Sequence, residues 1–239
     1  MRGTTGLLVG ISLLLMTGCG GEGAPYEKGM AYYQAGEIGK AILELNRASA
    51  EDKSAKVRNN LGAILYNEEN PAGAMALFDQ AAQVDPSSIV AHRNLAFCYA
   101  KKGMLSRAIE EYEAAIRLDP KEAESCYNLA VVYHRLEKLD RSVAYNEMAV
   151  ARDPGFVEAH VNLGFDHFEL GNVNRARISF EAARKIDPKS APATYGLALT
   201  YQSGGQEQEA TTWWLKYLEL EPKGIWAHKV RERLGMEGT

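Results

Sequence analysis

The sequence lacks every short signature that would announce a familiar catalytic site. It has no G-x-x-x-x-G-K-[ST], no H-E-x-x-H, no C-x-x-C and no G-x-S-x-G. Those absences remove the phosphate-cradling loop, the helical two-histidine zinc site, the dithiol redox pair and the strained nucleophile turn. Cysteine is scarce, three in 239 residues, so a disulfide framework does not hold this chain together. The apolar run at residues 7–16 is too short to cross a bilayer as a helix. Basic residues are in slight deficit, 27 against 31 acidic, for a net charge of -4, which excludes bulk attraction to nucleic acid.

What is present is a period. Pro86, Pro120, Pro154, Pro188 and Pro222 are each 34 residues apart, four of them in Asp-Pro and the last in Glu221-Pro222. Other columns keep the step: Leu61, Leu95, Leu129, Leu163 and Leu197, each followed by Gly or Ala. Four residues after the leucines come Leu65, Tyr99, Tyr133, His167 and Tyr201. Later columns are Ala74, Ala108, Ser142, Ala176, Ala210, then Phe78, Tyr112, Asn146, Phe180, Trp214. The last is Ala81, Ala115, Ala149, Ala183, Tyr217. Residues four apart share a helical face, so each period holds two amphipathic helices. Proline ends the second helix because it has no N–H and restricts the residue before it.

Gly36, Gly103, Gly171 and Gly205 fall between the helices, where a left-handed C-cap needs no Cβ. Glu69 and Glu137 stand there in two repeats, which predicts looser turns. Ser142 and Asn146 interrupt the small and aromatic columns, which predicts that residues 123–156 are the least well packed repeat. One helical pair cannot bury both its faces, so neighbours must stack.

These columns resemble the tetratricopeptide repeat (TPR). The resemblance implies an all-α fold: a right-handed α-solenoid superhelix of about six helical hairpins. A degenerate repeat is expected at 26–53 and regular ones at 55–88, 89–122, 123–156, 157–190 and 191–224. A capping helix over 225–236 follows from Trp226, Val230 and Leu234 at steps of four.

Before the array, residues 1–18 read as a signal peptide: Arg2, the apolar run, then Leu15-Met16-Thr17-Gly18-Cys19. This resembles the lipobox of bacterial lipoproteins, which implies lipidation at Cys19 and a tether over 19–25. An ordinary secretory signal is the alternative. Gly20 after the cysteine, in place of Asp, implies under the lipoprotein sorting rule an outer-membrane anchor facing the periplasm. A lipid chain contributes about 0.8 kcal/mol per buried methylene, and several chains hold stably.

Five histidines are present. His92, His160 and His228 share one column, His167 fills the tyrosine column and His134 falls at the groove edge. His160 and His167 have no third ligand, so packing or solvation is expected of them, with no metal and no cofactor. Cys98 and Cys126 fall at different heights on neighbouring helices and are expected as buried free thiols, a bridge being the minority reading.

Asn60, Asn94, Asn128 and Asn162 each precede a column leucine, and Gly196 breaks the series. The resemblance places this column in a concave groove, where an asparagine ladder holds an extended peptide by its backbone. An amide offers donor and acceptor together, as a peptide unit requires. Amides on packed helices recur about every 10 Å, and an extended chain advances about 3.3 Å per residue, so one amide meets about every third residue. The structural alternative, each Asn bonding the neighbouring repeat, stays open. Around the ladder the groove is expected to show Arg93, Lys101, Arg135, Phe97, Tyr127 and Phe165.

The function expected is a non-catalytic scaffold whose partner is a protein or peptide segment, with no nucleic acid and no small-molecule substrate. The membrane is met through the anchor at Cys19. The architecture is similar to TPR lipoproteins of type IV pilus secretin assembly; polysaccharide export or envelope-protein assembly is the alternative setting.

Overall fold

The computed structural model describes residues 25–52 and 54–236. Residues 1–18, Cys19 and the tether through residue 24 lie outside the described residues. Those described contain α-helices and no strand. The chain divides into two compact units, at about residue 120.

The first unit holds three hairpins: α1 (Pro25–Gln34) with α2 (Ile38–Glu51), α3 (Ala55–Asn67) with α4 (Pro71–Val84), and α5 (Ile89–Lys101) with α6 (Leu105–Leu118). The second holds α7 (Ala123–Arg135) with α8 (Leu139–Arg152), α9 (Val157–Glu169) with α10 (Val173–Ile186), and α11 (Ala191–Ser203) with α12 (Glu207–Leu220). The short α13 (Ala227–Arg233) packs on α12. Within each unit the second helix of one hairpin lies against the first helix of the next. The helical solenoid expected from the period is therefore present, with α1 starting at Pro25, a position expected in the tether.

The Asp-Pro columns explain the stops. In three of them the aspartate Oδ1 accepts the amide two residues on: Ser87 N at 3.0 Å from Asp85, Gly155 N at 2.9 Å from Asp153, Lys189 N at 2.9 Å from Asp187. Such an Asx turn reverses the chain directly after the proline-terminated helix. The Ser87 hydroxyl and amide together hold the Asp85 carboxyl below its usual range. Ser54, Ser88 and Ser190 then cap the next first helix, each accepting from the amide three residues later. His92 and His160 add a further tie, each directing Nε2 at the carbonyl of the turn proline, Pro86 at 3.0 Å and Pro154 at 3.1 Å.

The turns inside the hairpins correct one expectation. Glu69 and Glu137 adopt φ of 59° and 58°, the left-handed conformation that Gly103 takes at 78°. Lys138 N donates to Tyr133 O at 3.0 Å and Met104 N to Tyr99 O at 2.9 Å. The glutamate turns are thus as tight as the glycine ones. Hydrogen bonds from both flanking amides hold a conformation that disfavours a side chain by roughly 1–2 kcal/mol.

The small columns allow close approach. A Cβ on Gly62 would sit 2.7 Å from the Phe78 ring, so the glycine lets α3 press on α4. In the second unit Phe180 fills the space left by both Gly164 and Gly196.

Candidate functional site

The expected ladder residues are described within each unit. In the first, Asn94 is 7% exposed and Asn60 is half-buried, its Nδ2 donating to the Tyr26 hydroxyl at 2.6 Å. Tyr26 is one period upstream, so Asn60 ties the first hairpin to the second. Arg93 is half-buried and Lys101 exposed, its ammonium 5.2 Å above the Phe97 ring. Phe97 itself is buried, edge-on to Tyr66 at 5.3 Å.

In the second unit Asn128 is 5% exposed, and its Nδ2 is buried without a hydrogen-bond partner. Asn162 is half-buried and Arg135 exposed. Tyr127 is buried against Phe156, ring centroids 4.9 Å apart. Phe165 lies edge-on to Phe180 at 4.9 Å and 6.1 Å from Trp226, which stacks on Tyr195 at 4.3 Å. The Trp226 amide donates to the Tyr217 hydroxyl at 3.2 Å. So Phe97 and Tyr127, expected to show in the groove, are closed in by their neighbours, while Phe165 keeps a half-buried ring in an aromatic cluster.

The sequence reading missed the most concentrated polar chemistry. Asp166, on α9, is 1% exposed. Its Oδ1 takes His134 Nδ1 at 2.7 Å, and its Oδ2 takes the Ser142 hydroxyl at 2.6 Å and Asn146 Nδ2 at 2.9 Å. The Asp166 hydrogen bond, aided by the nearby Glu169 charge, pushes the His134 pKa up against the opposing effect of burial. Ser142 and Asn146 are both fully buried, so they do not loosen 123–156 as expected; they bind the residue that replaces an apolar one in the next repeat. The signal was in the column: Ile64, Cys98, Val132 and Thr200 stand where Asp166 does, and Asp166 is the one charged residue among them.

Burial pushes both thiols, Cys98 and Cys126, up to about 11, so neither is a nucleophile near neutral pH. His167 is pushed down by burial, and its Nδ1 has no partner. Among the described residues no three His, Cys, Asp or Glu side chains are placed to hold a metal.

Models of the tetratricopeptide repeat match residues 65–111, 123–156 and 157–190, and a TPR repeat model matches 98–137. Together they cover more than half of the chain. It belongs to the tetratricopeptide-repeat family. No curated protein matches this TPR chain. Among solved structures, pilF of Pseudomonas aeruginosa superposes with a TM-score of 0.76 at 16% identity, covering 88% of this chain and 96% of that one. YrrB, a TPR protein with an unusual peptide-binding site, gives 0.64 at 24%, covering 79% and 97%. MamA of Desulfovibrio magneticus gives 0.64 at 18%, covering 72% and 97%. At these identities the likeness is one of fold. The TPR fold is generally an interaction scaffold, its concave surface serving as a binding face.

Proposed function

We propose that this TPR chain is a lipid-anchored, non-catalytic scaffold that holds an extended protein segment along its first-helix faces. The observation that carries the binding claim is Asn128: a nearly closed-off amide on the ladder column whose Nδ2 has no partner among the described residues. A buried donor left unpaired costs roughly 1–3 kcal/mol, which a ligand carbonyl would recover when the amide turns outward on binding. Asn60, by contrast, is engaged by Tyr26 and serves the array. The signal-like leader and Cys19 support an anchor in the bacterial envelope, and the similarity in architecture to TPR lipoproteins of type IV pilus secretin assembly makes that the first setting to test.

The experiment places a photo-crosslinking residue at exposed Arg135 in the full-length protein expressed in its own envelope. A covalent adduct with a secretin subunit is expected, and its yield falls several-fold in Asn128→Ala while melting moves little. Asn60→Ala instead lowers the melting temperature. Cys19→Ser releases the protein from the membrane fraction. An adduct with an export or outer-membrane assembly component transfers the scaffold to that machine. No adduct, or an adduct indifferent to Asn128→Ala, overturns the binding claim.

A further inference from the structure

The group around Asp166 joins three helices. His134 comes from α7, Ser142 and Asn146 from α8, and Asp166 from α9. The carboxylate receives three side-chain hydrogen bonds, and Ser142 also lies 3.0 Å from the Ala130 carbonyl. Of the donors, Ser142 and Asn146 are sealed from solvent, whereas 42% of the His134 side chain is exposed. The histidine is therefore the only one of the four that can exchange a proton with water while the junction stays packed.

We propose that His134 and Asp166 form a proton-operated clasp between residues 123–156 and 157–190, tight while His134 is protonated and slack when it is neutral. A buried carboxylate needs both hydrogen bonds and a compensating charge. Ser142 and Asn146 supply hydrogen bonds without charge, so the imidazolium is the compensating cation. The other charged groups around the pair do not substitute for it. Glu169 of α9 is a second carboxylate facing His134 and favours the same protonated state. His167, the other imidazole near Asp166, is driven toward its neutral form by burial, with Arg175 of α10 adding to that and Glu147 of α8 opposing it.

The sign follows from linkage. A histidine whose pKa is raised on folding contributes stability that is complete below its unfolded value, near 6.5, and is lost as pH climbs through the folded value. The clasp thus slackens as pH rises above the ordinary imidazole value. Helices α7 and α9 carry Tyr127, Asn128, Asn162 and Phe165, so their spacing sets the proposed recognition face. That last consequence rests on the binding reading; the clasp itself does not.

The test is amide hydrogen exchange on the full chain between about pH 6 and about pH 9, corrected for intrinsic exchange, with the His134 imidazole titrated by NMR. Opening of α8 and α9 becomes several-fold more frequent over that range in the natural protein, and this extra opening is absent in His134→Gln, whose amide is neutral throughout. Asp166→Asn returns the His134 titration toward its ordinary value; if that variant does not fold, the exposed-site His134→Gln comparison still decides. An identical pH response in the natural protein and His134→Gln, or a His134 titration at or below the ordinary value, overturns the clasp. Neither readout involves a partner, so the failure of the binding reading would leave this result standing.

Discussion

Residues 89–122 and 123–156 fill the same columns by opposite means. In α6 the columns hold Ala108 and Tyr112, both sealed from solvent. In α8 they hold Ser142 and Asn146, equally sealed. An apolar filler is satisfied by any close-fitting neighbour. A polar filler needs a specific acceptor, and here α9 supplies Asp166 where the corresponding residues are Ile64, Cys98, Val132 and Thr200. The contrast teaches that the repeat columns demand shape first, and that hydrophobicity is one of two ways to fill them; the polar way leaves Asn146 Oδ1 without a partner among the described residues.

The strongest way to break the comparison is to remove the carboxylate alone. Asp166→Ala leaves Asn146 and His134 without their acceptor and Ser142 with only the Ala130 carbonyl, and is expected to destabilise the second unit by roughly 2–4 kcal/mol through the unpaired donors and the cavity left behind. Urea unfolding followed through that unit's hydrogen exchange measures it; a loss under about 1 kcal/mol would mean the network carries little.

Converting the polar junction to the apolar kind should have a smaller effect of the other sign. Ser142→Ala, Asn146→Tyr and Asp166→Val together copy the residues found one period upstream. Replacing a buried ionic group by well-fitting apolar ones is typically neutral or stabilising by about 1–4 kcal/mol. Thermal melting of the triple variant at several pH values should show equal or higher stability and no contribution from His134. A collapse in melting temperature would show that the surrounding backbone has adapted to the polar set.

The smallest effect separates the turns. Glu137→Gly and Glu69→Gly each relieve a left-handed residue and are expected to stabilise by roughly 0.5–1 kcal/mol, offset in part by greater freedom of the unfolded chain. The same exchange in reverse at Gly103, Gly103→Glu, should destabilise by a similar amount. Chevron or equilibrium denaturation would resolve both, and a destabilised Glu137→Gly would point to a contact of its side chain.

The fold was legible because a single spacing, the 34-residue step of the prolines, controls both where helices end and which residues face inward. Local physics did the rest: Asp-Pro turns, serine caps and glycines at left-handed positions all agree with the period. What was hidden lay between repeats. Reading down a column shows that Ser142 and Asn146 differ from their equivalents, but their partner stands in another column of the next repeat, 24 and 20 residues away. The ladder was legible as a pattern while its chemistry was not. Whether an asparagine is engaged, as Asn60 is by Tyr26, or left with a free donor, as Asn128 is, depends on side-chain geometry that spacing does not encode.

The Asp166 cluster also bears on how the chain finds its own order. Units of equal length and similar face can pair with the wrong neighbour during folding, each mispairing burying nearly as much apolar surface as the right one. At one junction in this array that ambiguity is removed. A repeat carrying Ile64, Cys98 or Val132 at the Asp166 position, set against α8, would leave the Ser142 hydroxyl and the Asn146 amide facing an apolar side chain, Thr200 would offer them a hydroxyl in place of a carboxylate, and 157–190 set against any other second helix would bury a naked carboxylate. The cluster works as a key that favours one neighbour, and an array rebuilt with its repeats shuffled is expected to fail first at this joint.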